Sequence, residues 1–342
     1  MQQHPLVAIL IRVGTFVLVM IALSIMIFVL ARVVPGDPAR MALGPSATPD
    51  QVQAVRLNMG LDQPLVVQYL VYAGKALRGD LGMSLVSQRP VVTDLAQTVP
   101  ATLELVLVSV MFMFVVAVPL GVVMAHYRDR AIDHVGRLLS LTGVIIPSFL
   151  FAITLQLVAA RFLSGWPIIG RLDHDMNWAG GSTGLLLLDG LLAGRPDVML
   201  NALQHLLLPA FALSMAGIGQ ITRITRSVMI ENQRKDHVLT LKSFGVPERV
   251  IIFKYLLKLS SIAPLTIMGL EFASLIGNAF VIEMVFAWGG FASYGLTSVL
   301  QKDLNAVTAV VLVAGLFFII ANLIVDILIT IIDPRLRRKE AR

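Results

Sequence analysis

The sequence predicts an all-α membrane protein that crosses the bilayer about six times. Of its 342 residues, 57% are hydrophobic and only 14% are charged, whereas a soluble domain typically carries about 25% charged residues. Six apolar segments reach the roughly 20 residues that a helix needs to cross about 30 Å of hydrocarbon. They lie near 9–31, 101–126, 138–163, 203–222, 262–286 and 306–332.

The first apolar segment is expected to be an uncleaved anchor that occupies residues 1–31. Its uncharged run from Val13 to Ala31 is longer than the apolar core of about 7 to 15 residues in a signal peptide. No small-residue cleavage site follows it cleanly. We therefore treat this segment as the first membrane helix.

Residues 32–100 are expected to form a small ordered cap on the outer face. Proline and glycine punctuate this region, and amphipathic helical patterns occupy 49–59 and 64–77. A second outer segment, 164–202, contains the apolar run Leu185–Leu188. That run is too short to cross a bilayer, which favours an interfacial or re-entrant piece.

The fourth span is the weakest of the six by composition. His205, Pro209, Ser214 and Gln220 interrupt it, although a helix within a bundle tolerates such residues when its neighbours satisfy them. We interpret His205 as a hydrogen-bonded packing residue rather than a metal ligand. His174 lies between Asp173 and Asp175, a local cluster that is more typical of an exposed polar loop than of a cation site.

The distribution of Lys and Arg predicts that both termini are cytoplasmic. Most of the 27 basic residues fall in three short stretches, which are Arg128–Arg137, the 223–258 loop and the tail 333–342. With these stretches inside, the chain obeys the positive-inside rule. Arg12 also lies on the inner side, and the remaining ten basic residues are spread over longer outer loops rich in Asp. The net charge of +6 therefore reports membrane orientation rather than nucleic-acid binding.

The loop 223–258 combines basic and apolar residues in a pattern that suits binding to another protein. Gly245 can end one helix and Pro247 can begin the next. Val238, Leu241 and Phe244 fall between charged residues, so the first helix can present an apolar stripe beside a charged face. Two helices that merely lie on the lipid surface would produce a similar pattern.

Few ionisable residues lie within the predicted spans, and we take them as candidates for the transport pathway. Glu271 lies in the fifth span and Glu283 lies near its outer end, with Asn278 between them. A buried acid that bonds to a neighbouring helix is the alternative for Glu271. Asn322 and Asp326 in the sixth span lie four residues apart, which fits a hydrogen-bonded pair between helices better than a transport site.

Enzymatic chemistry finds little support in the sequence. The chain lacks cysteine and the His-Glu-x-x-His pattern of zinc hydrolases. Gly74-Lys75-Ala76 lacks both the upstream glycine and the following Ser or Thr of a phosphate-binding loop. No cofactor or metal is expected on this chain, and any ATP chemistry must lie on another one.

Several motifs resemble the permease subunits of binding-protein-dependent ABC importers, in the branch that handles dipeptides, oligopeptides and nickel. The resemblance runs nearly end to end, and the shared order of its motifs makes it specific. The matching segments are Arg32–Pro38, Ala47–Gln51, Gly60–Pro64, Gly79–Gly82, Pro100–Glu104, Arg223–Ser227, Asp236–Gly245, Glu283–Trp288, Asn322–Asp326 and Asp333–Arg335.

Three positions depart from the pattern of that branch. Leu241 stands where the family usually has alanine, and Phe244 where it usually has a basic residue. Both departures enlarge the apolar surface of the loop, so the matching groove on the ATPase is expected to differ in shape. Gly289 and Gly290 follow Trp288, where the family commonly has proline, so that outer turn lacks the restraint that proline places on the backbone.

The resemblance implies a type I importer permease with a core of 101–332 and a short coupling helix around Asp236–Gly245. Val238, Leu241 and Phe244 would then fill the floor of a groove on the ATPase. It implies as partners a second homologous permease, two ATP-binding subunits that hold ATP and magnesium, and a periplasmic or extracellular binding protein. The implied location is a bacterial inner membrane. The implied docking residues are Arg223, Arg226, Glu231, Asp236, Leu241, Phe244, Gly245 and Arg249.

Di- or oligopeptide import is the favoured function, while nickel, glutathione or another small solute would fit the same branch. The residues do not decide whether the second permease is identical or different, nor whether the ATPases are of one or two kinds. A self-sufficient secondary carrier should show inverted repeats and several ionisable groups at the midplane, and we find no internal repeat. A membrane-bound enzyme would need a catalytic set that the sequence does not display.

Overall fold

The computed structural model describes residues 5–33, 38–43, 47–58 and 60–332, and every regular element in these ranges is helical. The all-α prediction is therefore confirmed. Two segments, Met113–Ala117 and Ile251–Leu256, are π-helical. The α-helices are α1 (Pro5–Val33), α2 (Pro38–Leu43), α3 (Pro49–Asn58), α4 (Leu65–Leu77), α5 (Val91–Phe112), α6 (Val118–His126), α7 (Ala131–Ile145), α8 (Ser148–Phe162), α9 (Leu186–Leu192), α10 (Pro196–Gln233), α11 (Asp236–Ser243), α12 (Glu248–Val250), α13 (Leu257–Ser260), α14 (Ile262–Val285), α15 (Phe291–Leu300) and α16 (Leu304–Ile332).

Three continuous helices within the described part are long and apolar enough to cross a membrane. They are Val91–His126, Pro196–Gln233 and Leu304–Ile324, and two bent helix pairs raise the number to as many as five. Gly14–Leu30 of α1 adds a shorter apolar helix. The count of six spans remains a prediction.

The third predicted span, 138–163, is not one continuous helix. α7 and α8 meet at an angle of 108°, and Ile146 between them is extended, with φ −76° and ψ 123°. Proline disfavours the helical conformation in the residue before it, and Pro147 follows Ile146 directly. The segment is therefore a broken span or a re-entrant turn.

The chain divides into two compact units. Of the described residues, one unit comprises Pro100–Gly289 together with α16 from Ile320, and the other comprises those from Pro5 to Val99 together with Gly290–Ile319. We describe each unit by itself.

In the first unit, α10 is the central helix and packs against α6, α7, α8, α9 and α14. Glycines allow these helices to approach closely. A Cβ atom on Gly219 of α10 would lie 2.2 Å from the carbonyl oxygen of Ser140 on α7. A Cβ atom on Gly121 of α6 would lie 2.6 Å from Cβ of Thr225. α10 also continues through Pro209, so the span that looked weakest is the longest helix of the unit.

In the second unit, α4 packs along α1 through an aromatic contact and a hydrogen bond. The rings of Phe28 and Tyr69 meet edge to face with centroids 5.5 Å apart. The hydroxyl oxygens of Tyr69 and Ser24 lie 2.8 Å apart. Since α3 and α4 coincide with the amphipathic patterns at 49–59 and 64–77, both predicted helices are confirmed.

Asp303 anchors a loop of this second unit. Its carboxylate accepts hydrogen bonds from the hydroxyl of Ser84 at 2.6 Å and from the backbone N–H of Leu85 at 2.8 Å. The side chains of Asp303 and Ser84 are both buried. The carboxylate therefore replaces water for donors that the loop would otherwise leave unpaired.

Candidate functional site

The helix predicted at Asp236–Gly245 is present as α11. It begins after Lys235, whose backbone is extended, and it ends where Gly245 adopts φ +71°. The N–H of Val246 donates to the carbonyl of Leu241 at 3.1 Å, which closes the end of the helix in the way that a left-handed glycine permits. Pro247 then precedes α12. The predicted end of one helix at Gly245 and the start of the next at Pro247 are therefore confirmed.

One face of α11 packs against the chain itself. Val238 is completely buried and belongs to an apolar cluster with Val122, Met229 and Ile251. Leu241 is partly buried against the same cluster. The expectation that Val238 fills a groove on another protein is therefore wrong for this structure, and Leu241 lies on the inner side of α11 as well. The predicted apolar stripe on α11 is present, but Val238 and Leu241 pack against the chain itself.

Two large apolar side chains of α11 and its C-terminal end are exposed rather than packed against this cluster. Phe244 is 80% exposed and Leu239 is 58% exposed. Asp236, Gly245 and Arg249 from the predicted docking set are exposed as well. Exposed aromatic and aliphatic anchors with a charged rim are typical of a protein interface.

Arg226 lies inside the chain rather than on this exposed face. Its Nε and Nη2 donate to the two carboxylate oxygens of Asp133 at 2.6 and 2.7 Å. Asp133 is fully buried, and its Oδ2 also lies 3.5 Å from Nη2 of Arg137 and accepts from the N–H of Asp129 at 2.9 Å. This ion pair joins α10 to α7.

The two other charged residues of the predicted docking set on α10 point outward. Arg223 is exposed. Glu231 is 72% exposed, and its Oε1 lies 3.4 Å from Nζ of Lys235. Glu231 therefore lies at the end of α10, immediately before α11.

Two of the three candidate pathway residues share one face of α14. Glu271 is half-buried and Asn278 is exposed, and their spacing of seven positions corresponds to about two helical turns. Glu283 lies on a different face and is fully buried, and its carboxylate accepts a hydrogen bond from the hydroxyl of Thr102. The structure therefore separates Glu283 from the other two candidates.

Other predictions fall partly outside the described residues. The pairing of Asn322 with Asp326 depends on the side chain of Asp326, and the basic tail begins at Asp333. Both lie outside the part of the chain that the structure describes.

Sequence reasoning missed a polar network around Glu104. The buried carboxylate of Glu104 accepts from Nη2 of Arg171 at 2.9 Å and from the N–H of Leu187 at 2.7 Å. The guanidinium of Arg171 lies 5.6 Å from the ring centroid of Trp288, whose Nε1 donates to the carbonyl of Ala101 at 2.9 Å. Arg171 lies 67 positions from Glu104, so no local pattern signals the pair.

His205 is a hydrogen-bonded packing residue, as predicted. Its ring nitrogens lie 3.0 Å from the carbonyl oxygen of Gly170 and 3.2 Å from Oδ1 of Asp173. The amide of Asn201 donates to Asp173, and this bond, followed by the one to His205, lowers the pKa of the Asp173 carboxyl below its ordinary value. Over the ranges that the structure describes, no group of three or more metal-ligating side chains comes together.

A groove runs between the last part of α10 and the start of α14, and we call it the α10–α14 groove. The buried amide of Asn232 donates to the hydroxyl of Ser260 at 2.9 Å and ties the two walls together. The groove has a volume of about 560 Å³. Its lining residues are Ile224, Val228, Glu231, Asn232, Lys235, Leu259, Ile262, Ala263, Thr266 and Ile267.

Comparison with known proteins assigns most of the chain to two adjacent family models. Residues 117–338 match the binding-protein-dependent transport system inner membrane component, and residues 6–106 match the N-terminal part of such a component. The first match includes α10, α11, α14 and the groove between α10 and α14.

Curated relatives match almost the full length of the chain. A probable D,D-dipeptide transport system permease protein of Escherichia coli (strain K12) is 36% identical over 96% of this chain and 96% of its own length. A dipeptide transport system permease protein of Alkalihalophilus pseudofirmus is 32% identical over 93% and 96%, respectively. A glutathione transport system permease protein of Salmonella typhi is 32% identical over 94% and 95%. The chain belongs to the family of inner membrane components of binding-protein-dependent transport systems.

Proposed function

We propose that this chain is the permease subunit of an ATP-driven importer for short peptides. Relatives at 32–36% identity over nearly the whole chain are named for D,D-dipeptide, dipeptide and glutathione transport. Glutathione is itself a small peptide, so these names share one chemistry. Nickel import within the same family is the competing substrate class.

We propose that α11 docks into an ATP-binding subunit, which holds the ATP and magnesium. The observation that carries this proposal is the 80% exposure of Phe244 at the end of a helix whose other face is buried in the chain. A large aromatic side chain in water contributes little to the fold of its own chain, and such anchors commonly dominate the binding energy of an interface. Leu239, which is 58% exposed, adds a second exposed apolar side chain on α11.

The packing of α11 against the chain suggests how a movement of this helix would reach the membrane spans. Val238 fixes the helix to a cluster that contains Met229 of α10 and Ile251 and Leu256 of the segment before α14. A displacement of α11 therefore acts on both helices at once. If the two ATPase subunits hold α11 in different positions in their two states, each state would favour a different arrangement of the membrane spans.

The other partners that we propose are a second homologous permease and a periplasmic or extracellular binding protein. We propose that both termini and the 223–258 loop lie on the cytoplasmic side of a bacterial inner membrane, as the basic residues favour. The proposed division of the chain is an anchor at 1–31, a periplasmic cap at 32–100, a permease core at 101–332 and a tail at 333–342.

For the pathway, we propose that Glu271 and Asn278 line it and that Glu283 supports it. The first two share a face of α14 that other helices of the chain leave partly uncovered, whereas the bond from Thr102 holds Glu283 between helices. Replacing Glu271 by Gln should change the rate of uptake or the preference among peptides. Unchanged uptake and preference would make Glu271 structural.

The docking proposal is tested by co-expressing this chain with its ATPase and second-permease subunits and purifying it through a tag. The double change Leu239→Asp, Phe244→Asp should lose the ATPase subunits and retain the second permease, because it alters only the exposed face of α11. Leu77→Asp is a matched control, since Leu77 is 89% exposed at the end of α4. It should retain both partners.

Two results would contradict the proposal. One is full recovery of the ATPase with the double variant. The other is transport by the purified chain alone in liposomes, which would favour a secondary carrier. Competition of labelled dipeptide uptake by unlabelled dipeptides or by nickel separates the substrate classes.

A further inference from the structure

We propose that the α10–α14 groove binds a short peptide in its zwitterionic form, as the last site that the peptide occupies before release on the ATPase side. This inference rests on the proposed function, since it assigns the peptide a place within the same permease. It concerns a different part of the chain from α11. The groove lies beside the docking helix without including its exposed face.

The size and lining of the groove suit a small ligand with apolar side chains. Its volume of about 560 Å³ falls within the range of about 300 to 1,000 Å³ that is common for small-molecule sites. Aliphatic side chains form most of the walls, among them Val228, Ile262 and Ile267. Polar groups are confined to Glu231, Asn232, Lys235 and Thr266.

The groove continues the face of α14 that carries the pathway candidates. From Ala263 and Ile267 in the groove, steps of three or four residues lead to Glu271 or Leu270, then to Ser274 and Asn278. Residues spaced in this way lie on one side of a helix. Leu270, Ser274 and Asn278 are exposed in this chain. A ligand that follows this face of α14 beyond Glu271 therefore arrives at the groove.

The charged end of the groove matches the two ends of a free peptide. The carboxylate of Glu231 can accept from an α-ammonium group, while the ammonium of Lys235 can donate to an α-carboxylate. The two side chains now pair with each other at 3.4 Å and are 72% and 48% exposed. Exposed pairs contribute only about 0 to 1 kcal/mol, so a peptide can separate them at little cost.

The same charges favour a peptide over an anionic lipid. A site for a lipid headgroup typically gathers several basic residues at the membrane surface. Here one lysine stands beside one glutamate at the end of the groove, and the buried Asn232 lies next to them. The charges at this end are therefore balanced, as they are in a dipeptide.

The absence of cysteine from the chain allows a direct test with single thiols. Ile267→Cys places one thiol in the groove, and Val135→Cys places one on the exposed face of α7 as a control. The assembled transporter, without nucleotide, is treated with a membrane-impermeant thiol reagent. Labelling of this chain is followed by mass spectrometry. The probes are the dipeptide Ala-Phe and its N-acetylated, C-amidated form.

We expect Ala-Phe to slow labelling at position 267 at least fivefold in a saturable way and to leave position 135 unaffected. The blocked peptide should not protect, because it lacks both terminal charges. Adding Glu231→Gln or Lys235→Gln should raise the peptide concentration for half-protection about fivefold. This factor corresponds to the loss of one exposed charge pair worth roughly 1 kcal/mol. The Val135→Cys transporter, altered outside the groove, should import labelled dipeptide like the unmodified chain.

Several outcomes would overturn the inference. Equal protection by the blocked peptide would show that only apolar contacts matter. Protection that depends on added anionic lipid alone would assign the groove to lipid, and crosslinking of the thiol to the second permease would assign it to that subunit. Dipeptide import without protection would sink this inference alone, whereas absence of any dipeptide import would remove the proposed function itself.

Discussion

The guanidinium of Arg226 on α10 binds the carboxylate of Asp133 on α7 through two hydrogen bonds of 2.6 and 2.7 Å. Asp133 is fully buried and Arg226 is 18% exposed. Two parallel bonds fix both the distance and the orientation of the planar groups. The pair therefore sets how α7 and α10 meet, near the start of the segment that leads to α11.

Replacing Arg226 by Ala should lower the free energy of unfolding by about 3 kcal/mol, because it leaves a buried carboxylate without its main partner. The shift of the thermal unfolding midpoint in detergent measures this loss. Arg128→Ala is the control, since Arg128 is 40% exposed and its Nε pairs with the neighbouring, exposed Asp129 at 3.1 Å. Equal midpoints for the two variants would show that the pair does not stabilise the chain.

Truncation at two adjacent positions of α11 should affect different properties, stability at one and ATPase binding at the other. Val238→Ala should destabilise the chain by about 2 kcal/mol, because it removes a fully buried side chain from the cluster with Met229. Leu239→Ala should leave the unfolding midpoint nearly unchanged and weaken ATPase binding. If Val238→Ala weakens ATPase binding without any loss of stability, the inward assignment of Val238 is incorrect.

A methyl group at Gly219 should disrupt the crossing of α10 and α7. The added Cβ would lie 2.2 Å from the carbonyl oxygen of Ser140, so the helices must move apart, at a cost of about 1 to 3 kcal/mol. Gly74→Ala in α4 is the matched control, because a Cβ there meets nothing within 4 Å. Alanine should stabilise that helix by up to about 1 kcal/mol. Thermal unfolding midpoints of the two variants should therefore shift in opposite directions.

Acid should weaken the loop that holds Asp173. Hydrogen bonds from Asn201 and His205 lower the pKa of this carboxyl in the folded chain, so the stabilisation is present above its ordinary value of about 4. It is lost as the pH falls through the lower folded-state pKa. The unfolding midpoint of the native chain should therefore fall more steeply below about pH 4 than that of Asp173→Asn. Parallel curves would contradict this, and Asp175→Asn, an exposed neighbour, serves as control.

The start and end of α11 could be predicted from sequence because the signals are local. Gly245 accepts a left-handed backbone and Pro247 limits the residue before it. The orientation of the helix could not be predicted. Val238 and Phe244 are both apolar, and periodicity shows only that a stripe exists. Whether the partner is the same chain or another depends on the distant residues Val122 and Met229.

Prolines illustrate a second limit of sequence reasoning. Pro147 follows a break of 108°, whereas α10 continues through Pro209. Both prolines lie in apolar segments, so the local composition does not predict which of them breaks its helix. The difference depends on the neighbours, because Pro209 is buried where surrounding helices can satisfy the freed carbonyl. The pair of Glu104 and Arg171 escaped prediction for the same reason, since it exists only after helices pack.

The π-helical segment Ile251–Leu256 gives the connection between α11 and α14 a mechanical property. A π-turn carries one residue more than an α-turn. If this turn tightened to an α-turn, the helix beyond it would rotate by about 100° and slide by about 1.5 Å. That helix leads into α14, which bears Glu271 and Asn278. Under the proposed function, a short displacement of α11 could thus be converted into a rotation of the helix that carries Glu271 and Asn278.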